Sequence, residues 1–173
     1  EAVRGGIDVV PVLGSRSHDT LAGLGPSPIV AGTTLTVGPD PGGELATDHA
    51  PARHPEPVVR LWEGPRTGWF VGGLEAMTAR RWMVSNDVSR VGARLERGRF
   101  RRVAGTPEQM ASEGLVAGAI QITPSGEPIV MLANHPTTGG YPVIAVVDPD
   151  DLSIVVAALP GTMIRFVRAA RPR

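Results

Sequence analysis

The 173-residue chain contains no cysteine, and all 17 of its basic residues are arginine, so lysine is absent as well. Without a thiol the chain has no cysteine nucleophile, no thiolate metal site and no disulfide bond. Without a lysine amine it cannot form a Schiff base, hold phosphates through a P-loop lysine or carry attached biotin. If ATP or biotin takes part in its function, this chain can only be a platform for a group that is carried elsewhere.

Aromatic residues make up only 4% of the chain, the formal net charge is +0, and no apolar run approaches the roughly 18 residues of a membrane span. The core must therefore consist mainly of Val, Ile, Leu and Ala. Zero net charge does not favour capture of nucleic acid, and the short basic cluster Arg99–Arg102 is typical of a solvated turn. With no cysteine and no visible signal peptide, we expect a cytoplasmic protein that binds no metal, membrane or nucleic acid.

Glycine and proline are abundant instead, with 22 and 17 residues spread along the chain rather than repeated. This distribution predicts many turns between short strands and favours a closed or nearly closed β-barrel. We therefore predict a mainly β fold with one or two short helices. The predicted strands are 34–37, 58–62, 81–85, 90–96, 118–123, 128–133, 143–147 and 163–167, and the predicted helical segments are 73–78, 107–113 and 151–158.

A proline-rich segment divides the chain. Residues 39–57 contain five prolines and almost no apolar side chains, which is typical of a linker. Residues 1–38 alternate short apolar runs with turns, whereas residues 58–173 contain most of the predicted strands. We predict a β-rich segment, a linker and a β-barrel domain in that order.

The most informative stretch follows the predicted hairpin of residues 118–133, whose turn is Pro124-Ser125-Gly126. The loop after the hairpin holds Thr137, Thr138, Gly139, Gly140 and Tyr141, the only tyrosine. Glycines allow close backbone approach and aim N–H groups at an anion, and the hydroxyls add hydrogen bonds. This composition suits a carboxylate, carboxybiotin or phosphate group. The alternative is a turn between strands with incidental hydroxyls.

Two further groups of side chains are candidates for ligand binding. Arg90 and Arg94 flank Gly92 on alternate positions of a predicted strand, so they would face one side and could clamp an anion, unless that face is only solvated. The others stand near the loop: Glu113, which could instead belong to a helix terminus, the buried amide Gln121, and Asn134 with His135 at a strand end, where histidine is more often structural. No catalytic residue is assigned.

Four separate motifs in the chain occur in one protein family, in the same order. They are Arg4–Asp8 with Leu13–Ser17 and Asp19-Thr20, then Arg90, Gly92 and Arg94–Glu96, then Ser112–Gly114 with Gly118–Leu132, and finally Thr137–Pro142. In these motifs the chain resembles the family of allophanate hydrolase subunit 2, also called the C-type 5-oxoprolinase subunit, which is homologous to part of the carboxyltransferase domain of urea carboxylase. The family usually has Asp, a variable residue and Gln where this chain has Asn134, His135 and Pro136.

The resemblance implies a cyclophilin-like β-barrel for residues 58–173. Residues 1–38 would then be the end of a preceding lobe, of which most is missing from this chain. It also implies an ATP-dependent hydrolase acting on a small amide or lactam, such as 5-oxoproline or allophanate, with ATP bound at this chain or at a partner. That partner would be allophanate hydrolase subunit 1, also called the B-type 5-oxoprolinase subunit. The alternative is a non-catalytic regulator, because members of this family are also described as antagonists of a sporulation kinase inhibitor.

Overall fold

A computed structural model describes residues 3–20, 22–43 and 57–170 of the chain. The chain forms two compact units, Glu1–Ala52 and Arg53–Arg173. In the first unit, the described residues are joined by turns and by isolated bridges, such as the antiparallel bridge between Ile7 and Val37. The strand predicted at residues 34–37 is thus reduced to one bridge. Most of the predicted linker, residues 44–56, lies outside the described residues.

The second unit is a barrel of short strands, and this confirms the predicted mainly β fold. Its elements in chain order are β1 (Val58–Glu63), α1 (Gly73–Thr78), β2 (Arg81–Val88), β3 (Gly92–Glu96), β4 (Glu113–Gly114), β5 (Ala119–Ile122), β6 (Pro128–Met131), β7 (Thr138–Gly139), β8 (Val143–Val147), α2 (Leu152–Val156) and β9 (Met163–Arg168). Single 3₁₀ turns occupy Thr67–Trp69 and Pro149–Asp151.

Seven of these strands close into a barrel in the order β1-β8-β5-β6-β3-β2-β9. Neighbouring strands run antiparallel, except that β9 pairs with β1 in parallel and completes the ring. Closure leaves no free sheet edge in the barrel. The remaining strands, β4 and β7, form a separate two-stranded sheet, which carries the loop that the sequence singled out.

Alternation along the strands places aliphatic side chains inside the barrel, as the composition predicts. On β1 and β9, for example, Val59, Leu61, Ile164 and Phe166 are fully buried. A small aromatic cluster joins this core, in which Trp82 and Phe100 stack with ring centroids 5.6 Å apart and an interplanar angle of 5°. No helix in the described part of the chain is long and apolar enough to cross a membrane.

The hairpin predicted at residues 118–133 is confirmed, since β5 and β6 pair antiparallel. Its turn requires glycine at position 126 for two reasons. Gly126 has a φ of +86°, and a Cβ there would lie 2.5 Å from the carbonyl oxygen of Phe100. The hairpin turn is thus packed tightly against the neighbouring chain segment.

The helix predicted after Thr106 is wrong, because residues 106–112 form neither helix nor strand. The hydroxyl of Thr106 donates to the carbonyl of Val103 at 2.8 Å, so it turns back along the chain instead of capping a helix. The carbonyl of Pro107, which a helix would use internally, accepts a hydrogen bond from the guanidinium of Arg102. The segment therefore continues as a loop into β4.

An ion-pair network fixes the 3₁₀ turn before α2 to the barrel. Asp151 accepts hydrogen bonds from the backbone N–H, Nε and Nη2 of Arg60 on β1, at 2.8, 2.8 and 2.9 Å. Nearby, Trp62 Nε1 donates to the buried Asp148 at 3.0 Å. The hydrogen bond to the guanidinium of Arg60 is the main reason that the pKa of the Asp151 carboxyl lies below its ordinary value of 3.8.

We expect the network to make stability depend on acid pH. Because the folded state lowers the pKa of Asp151, its contribution is fully present above the unfolded pKa of about 3.9 and is lost as the pH falls through the folded pKa. Asp151→Asn should lower the melting temperature at neutral pH and flatten its decline at acid pH. Thermal unfolding monitored by circular dichroism from neutral pH to about pH 2 measures both effects. An unchanged melting curve at neutral pH would contradict this role.

Candidate functional site

The two-stranded sheet brings two candidate segments together. Glu113 of β4 pairs with Gly139 of β7, and the next pair joins Gly114 to Thr138. The backbone N–H of Leu115 also donates to the carbonyl of Thr137 at 2.9 Å. The predicted loop is therefore held at its first half by the segment that carries Glu113.

The buried amide of Gln121 holds the other half of the loop. The Gln121 side chain belongs to β5, where the residue is only 3% exposed, and its Nε2 donates to the backbone carbonyl of Tyr141 at 2.8 Å. Because a carbonyl can only accept, this bond fixes which way the amide points. No described residue donates a hydrogen bond to Oε1 of Gln121. The phenol of Tyr141 is directed outward, with the residue 43% exposed.

Gly139 lies against this amide too closely for any side chain. A Cβ there would be 2.7 Å from Nε2 of Gln121 and 2.8 Å from Cδ1 of Leu115. At Gly140 the nearest heavy atom would be the carbonyl oxygen of Met110 at 3.8 Å, an ordinary contact. The two glycines of the loop therefore differ: Gly139 is needed for packing, whereas Gly140 leaves open backbone beside Met110.

Arg66 belongs to the site, although no sequence pattern indicated it. Its backbone N–H donates to the carbonyl of Val143 on β8 at 3.0 Å, and its guanidinium forms a salt bridge with Glu113. The guanidinium carbon also lies 5.2 Å from the ring centroid of Trp69. Arg66 stands in the turn after β1, where a single arginine looks like a solvated residue, so only the fold reveals its partner.

The arginines predicted to form a clamp lie elsewhere. Arg94 is on β3, opposite Ile129, where Nε donates to Asp87 at 2.8 Å and Nη1 donates to Glu127 at 3.1 Å. The hydrogen bond to Asp87 is the main cause of the raised pKa of Arg94. Its fork is therefore already bound to two carboxylates.

The prediction that Arg90 and Arg94 share a strand face is wrong. Arg90 lies in a bend before β3, which begins at Gly92. The carbonyl of Arg90 accepts from the backbone N–H of Asn134 at 2.9 Å, so the bend is tied to the turn after β6. That backbone bond draws Arg90 out of the strand and makes alternate-position reasoning inapplicable.

Asn134 and His135 also form local bonds. The backbone N–H of His135 donates to the carbonyl of Leu132 at 3.0 Å, and its ring Nδ1 lies 2.8 Å from the carbonyl of Pro136. Since that carbonyl can only accept, Nδ1 carries the proton. These bonds join the two residues to their own turn and to Arg90. The contacts that unite Glu113, Gln121 and the loop do not include them.

The assembled cluster, which we call the β4–β7 site, consists of Arg66, Glu113, Gln121 and the loop 137–141. It offers a charged pair, an unused amide oxygen and backbone N–H groups next to two glycines. Such groups bind and orient a small polar ligand, and an anion suits the glycine-rich backbone. The arrangement fits a binding surface presented by a rigid barrel.

Residues 2–168 match the family model of the carboxyltransferase domain, subdomain A and B. The chain belongs to this carboxyltransferase family. The resemblance given by the four motifs is therefore confirmed, and the β4–β7 site lies within the matched region of the carboxyltransferase domain. The motifs had not indicated Arg66, because it falls outside all of them.

Two curated relatives of this carboxyltransferase domain are both named as the C-type subunit of 5-oxoprolinase. The chain is 32% identical over 176 residues to the relative from Escherichia coli (strain K12), a match that covers 98% of this chain and 55% of the relative. It is 35% identical over 85 residues to the relative from Haemophilus influenzae, covering 49% of this chain and 27% of that relative. The chain thus spans about half the length of the first relative.

A solved structure shares the fold of this carboxyltransferase domain. Superposition on the urea amidolyase of Kluyveromyces lactis gives a TM-score of 0.80, at 24% identity, and covers 96% of this chain and 12% of that one. At this identity the likeness concerns the fold alone. It agrees with the predicted barrel architecture.

Proposed function

We propose that this chain is a non-autonomous subunit of an ATP-dependent amide hydrolase of the 5-oxoprolinase type. The pairing of β4 with β7 carries the proposal, because it joins Glu113 to the loop 137–141 above the amide of Gln121. The relative from Escherichia coli, a C-type 5-oxoprolinase subunit that matches 98% of this chain, supports the same activity.

In this proposal the chain binds and orients the substrate. The exposed hydroxyls of Thr137, Thr138 and Tyr141, with the backbone beside Gly140, hold the polar groups of a small cyclic amide. Gln121 keeps the loop in place and can accept a hydrogen bond at Oε1 from an amide N–H. ATP supplies the free energy for opening the lactam, and it binds at this chain or at the partner subunit.

A sister subunit supplies the rest of the enzyme. The chain has neither a lysine amine nor a cysteine thiol, and the described contacts of His135 are local. We therefore assign the missing catalytic groups to a protein of the kind called allophanate hydrolase subunit 1, or the B-type 5-oxoprolinase subunit. The complex would act on 5-oxoproline or on a chemically similar amide such as allophanate.

Reconstitution tests this function. The chain alone is expected to release no glutamate from 5-oxoproline with ATP, and addition of the sister subunit is expected to produce ATP-dependent ring opening. Allophanate serves as the competing substrate, and omission of ATP is the control. Turnover by the chain alone at the rate of the complex would contradict the non-autonomous role. A stable complex that opens neither amide would favour the regulatory alternative.

A further inference from the structure

We propose that Arg66 and Arg102, which share the ring of Trp69, form a subsite for the carboxylate of a carboxylate-bearing amide. This inference rests on the proposed function and specifies its substrate class. The guanidinium carbons of Arg66 and Arg102 lie 5.2 and 5.8 Å from the ring centroid of Trp69. Two cations on one indole place a concentrated positive charge beside the β4–β7 site.

The charges at this point do not balance. Glu113 pairs with Arg66, whereas Arg102 forms no ion pair with a described carboxylate and donates instead to the neutral carbonyl of Pro107. Arg66 Nε is also buried without a hydrogen-bond partner among the described residues. One positive charge and one buried donor are therefore left over, which is the composition that an anion would complete.

Trp69 and the neighbouring backbone hold the two arginines. The backbone N–H of Val103 donates to the carbonyl of Trp69 at 2.9 Å, and an antiparallel bridge joins Phe70 to Arg102. Arg66 is fixed separately by its backbone bond to Val143 at 3.0 Å. Because both backbones are tied down, less side-chain freedom is lost when a ligand binds.

The subsite is continuous with the loop that would hold the amide. Glu113, the partner of Arg66, pairs directly with Gly139, and the carbonyl of Met110, which follows Pro107 along the same segment, lies beside Gly140. A ligand with both a carboxylate and an amide could therefore contact the arginines and the loop together. Neutral amides such as urea would lack the first contact, so the subsite selects for acids.

An NMR titration of the chain with two matched ligands tests the subsite. The ligands are 5-oxoproline and its neutral carboxamide, which share the lactam ring and differ in the charged group. The indole N–H signal of Trp69, assigned with Trp69→Phe, reports binding. We expect 5-oxoproline to shift this signal at least about tenfold more tightly than the carboxamide, as expected for charge-assisted hydrogen bonds. Every group of the subsite belongs to this chain, so no partner is needed.

Three variants make the test specific. Arg102→Met should weaken 5-oxoproline binding about tenfold and leave the carboxamide unaffected, and Arg102→Lys, which keeps the charge but loses the planar fork, should fall between. Arg101→Met is the control, because Arg101 is an exposed neighbour outside the cluster and its loss should change neither affinity. Unfolding curves confirm that each variant is folded.

The outcomes separate the subsite from the proposed function. No shift at Trp69 with either ligand, equal affinity for both, or equal effects of Arg102→Met and Arg101→Met would overturn the subsite. Carboxylate-selective binding that depends on Arg102, together with a reconstituted complex that opens no lactam, would retain the subsite and reject the 5-oxoprolinase activity. Lactam opening with no loss of carboxylate affinity in Arg102→Met would do the reverse.

Discussion

Replacing Gly139 by alanine is expected to lower the activity of the reconstituted complex by about a hundredfold, which is the cost of misplacing a binding group by about 1 Å. The added Cβ would lie 2.7 Å from Nε2 of Gln121 and 2.8 Å from Cδ1 of Leu115. Neither neighbour can move freely, since both residues are buried and the amide is bound to Tyr141. The loop or the amide must therefore shift, and the pairing of β4 with β7 is strained.

A matched glycine in the same two-stranded sheet controls for the change of residue type. Gly114 pairs with Thr138, and a Cβ there would meet no heavy atom within 4 Å. Gly114→Ala should preserve both the fold and the amide protection of the β4–β7 pair. Hydrogen exchange at residues 113–115, measured beside steady-state kinetics, distinguishes the variants. Equal exchange and equal turnover for Gly139→Ala and Gly114→Ala would show that the close contact is unimportant.

Gln121→Glu is expected to lower activity at least about tenfold at neutral pH and to recover part of it in mild acid. The change keeps the shape of the side chain and replaces the donor that faces the carbonyl of Tyr141 by a carboxylate oxygen. Burial and the facing carbonyl both disfavour the charged form, so the pKa of the new carboxyl is raised. Once protonated, it can again donate to Tyr141.

The pH dependence separates a lost donor from a general packing defect. Gln121→Leu removes the donor permanently and leaves a buried carbonyl unpaired, which costs about 1–3 kcal/mol of stability. Its activity, relative to the wild type at each pH, should stay low throughout, whereas that of Gln121→Glu should rise as the pH falls. Parallel pH profiles for the two variants would refute the proposed hydrogen bond to Tyr141 as the cause.

The barrel strands were the most predictable part of the fold. The run at residues 143–147 is continuously apolar, and it became β8 with the predicted bounds, as did the helix at residues 73–78. Both have strong local signals, apolar runs between turn residues. The helix predicted after Thr106 had only a start signal, and the side chains of Thr106 and Arg102 bind its backbone carbonyls differently.

The candidate site was predictable only in part. Glycines and hydroxyls within five positions marked the loop 137–141, and the buried Gln121 was recognisable as a polar residue in an apolar strand. Arg94 carried an equally suggestive pattern, yet it is bound to Asp87 and Glu127. Sequence spacing indicates which residues could share a face but contains no information about carboxylates that arrive from other strands.

By itself the sequence determined the mainly β class, the family motifs and the exclusion of thiol and amine chemistry, because composition and local pattern suffice for these. Tertiary structure decided which residues meet. Arg66 and Glu113 are 47 residues apart, and they form an ion pair only because barrel closure brings the turn after β1 to the strand β4. Local propensities act over a few residues, whereas a site of this kind is set by long-range strand pairing.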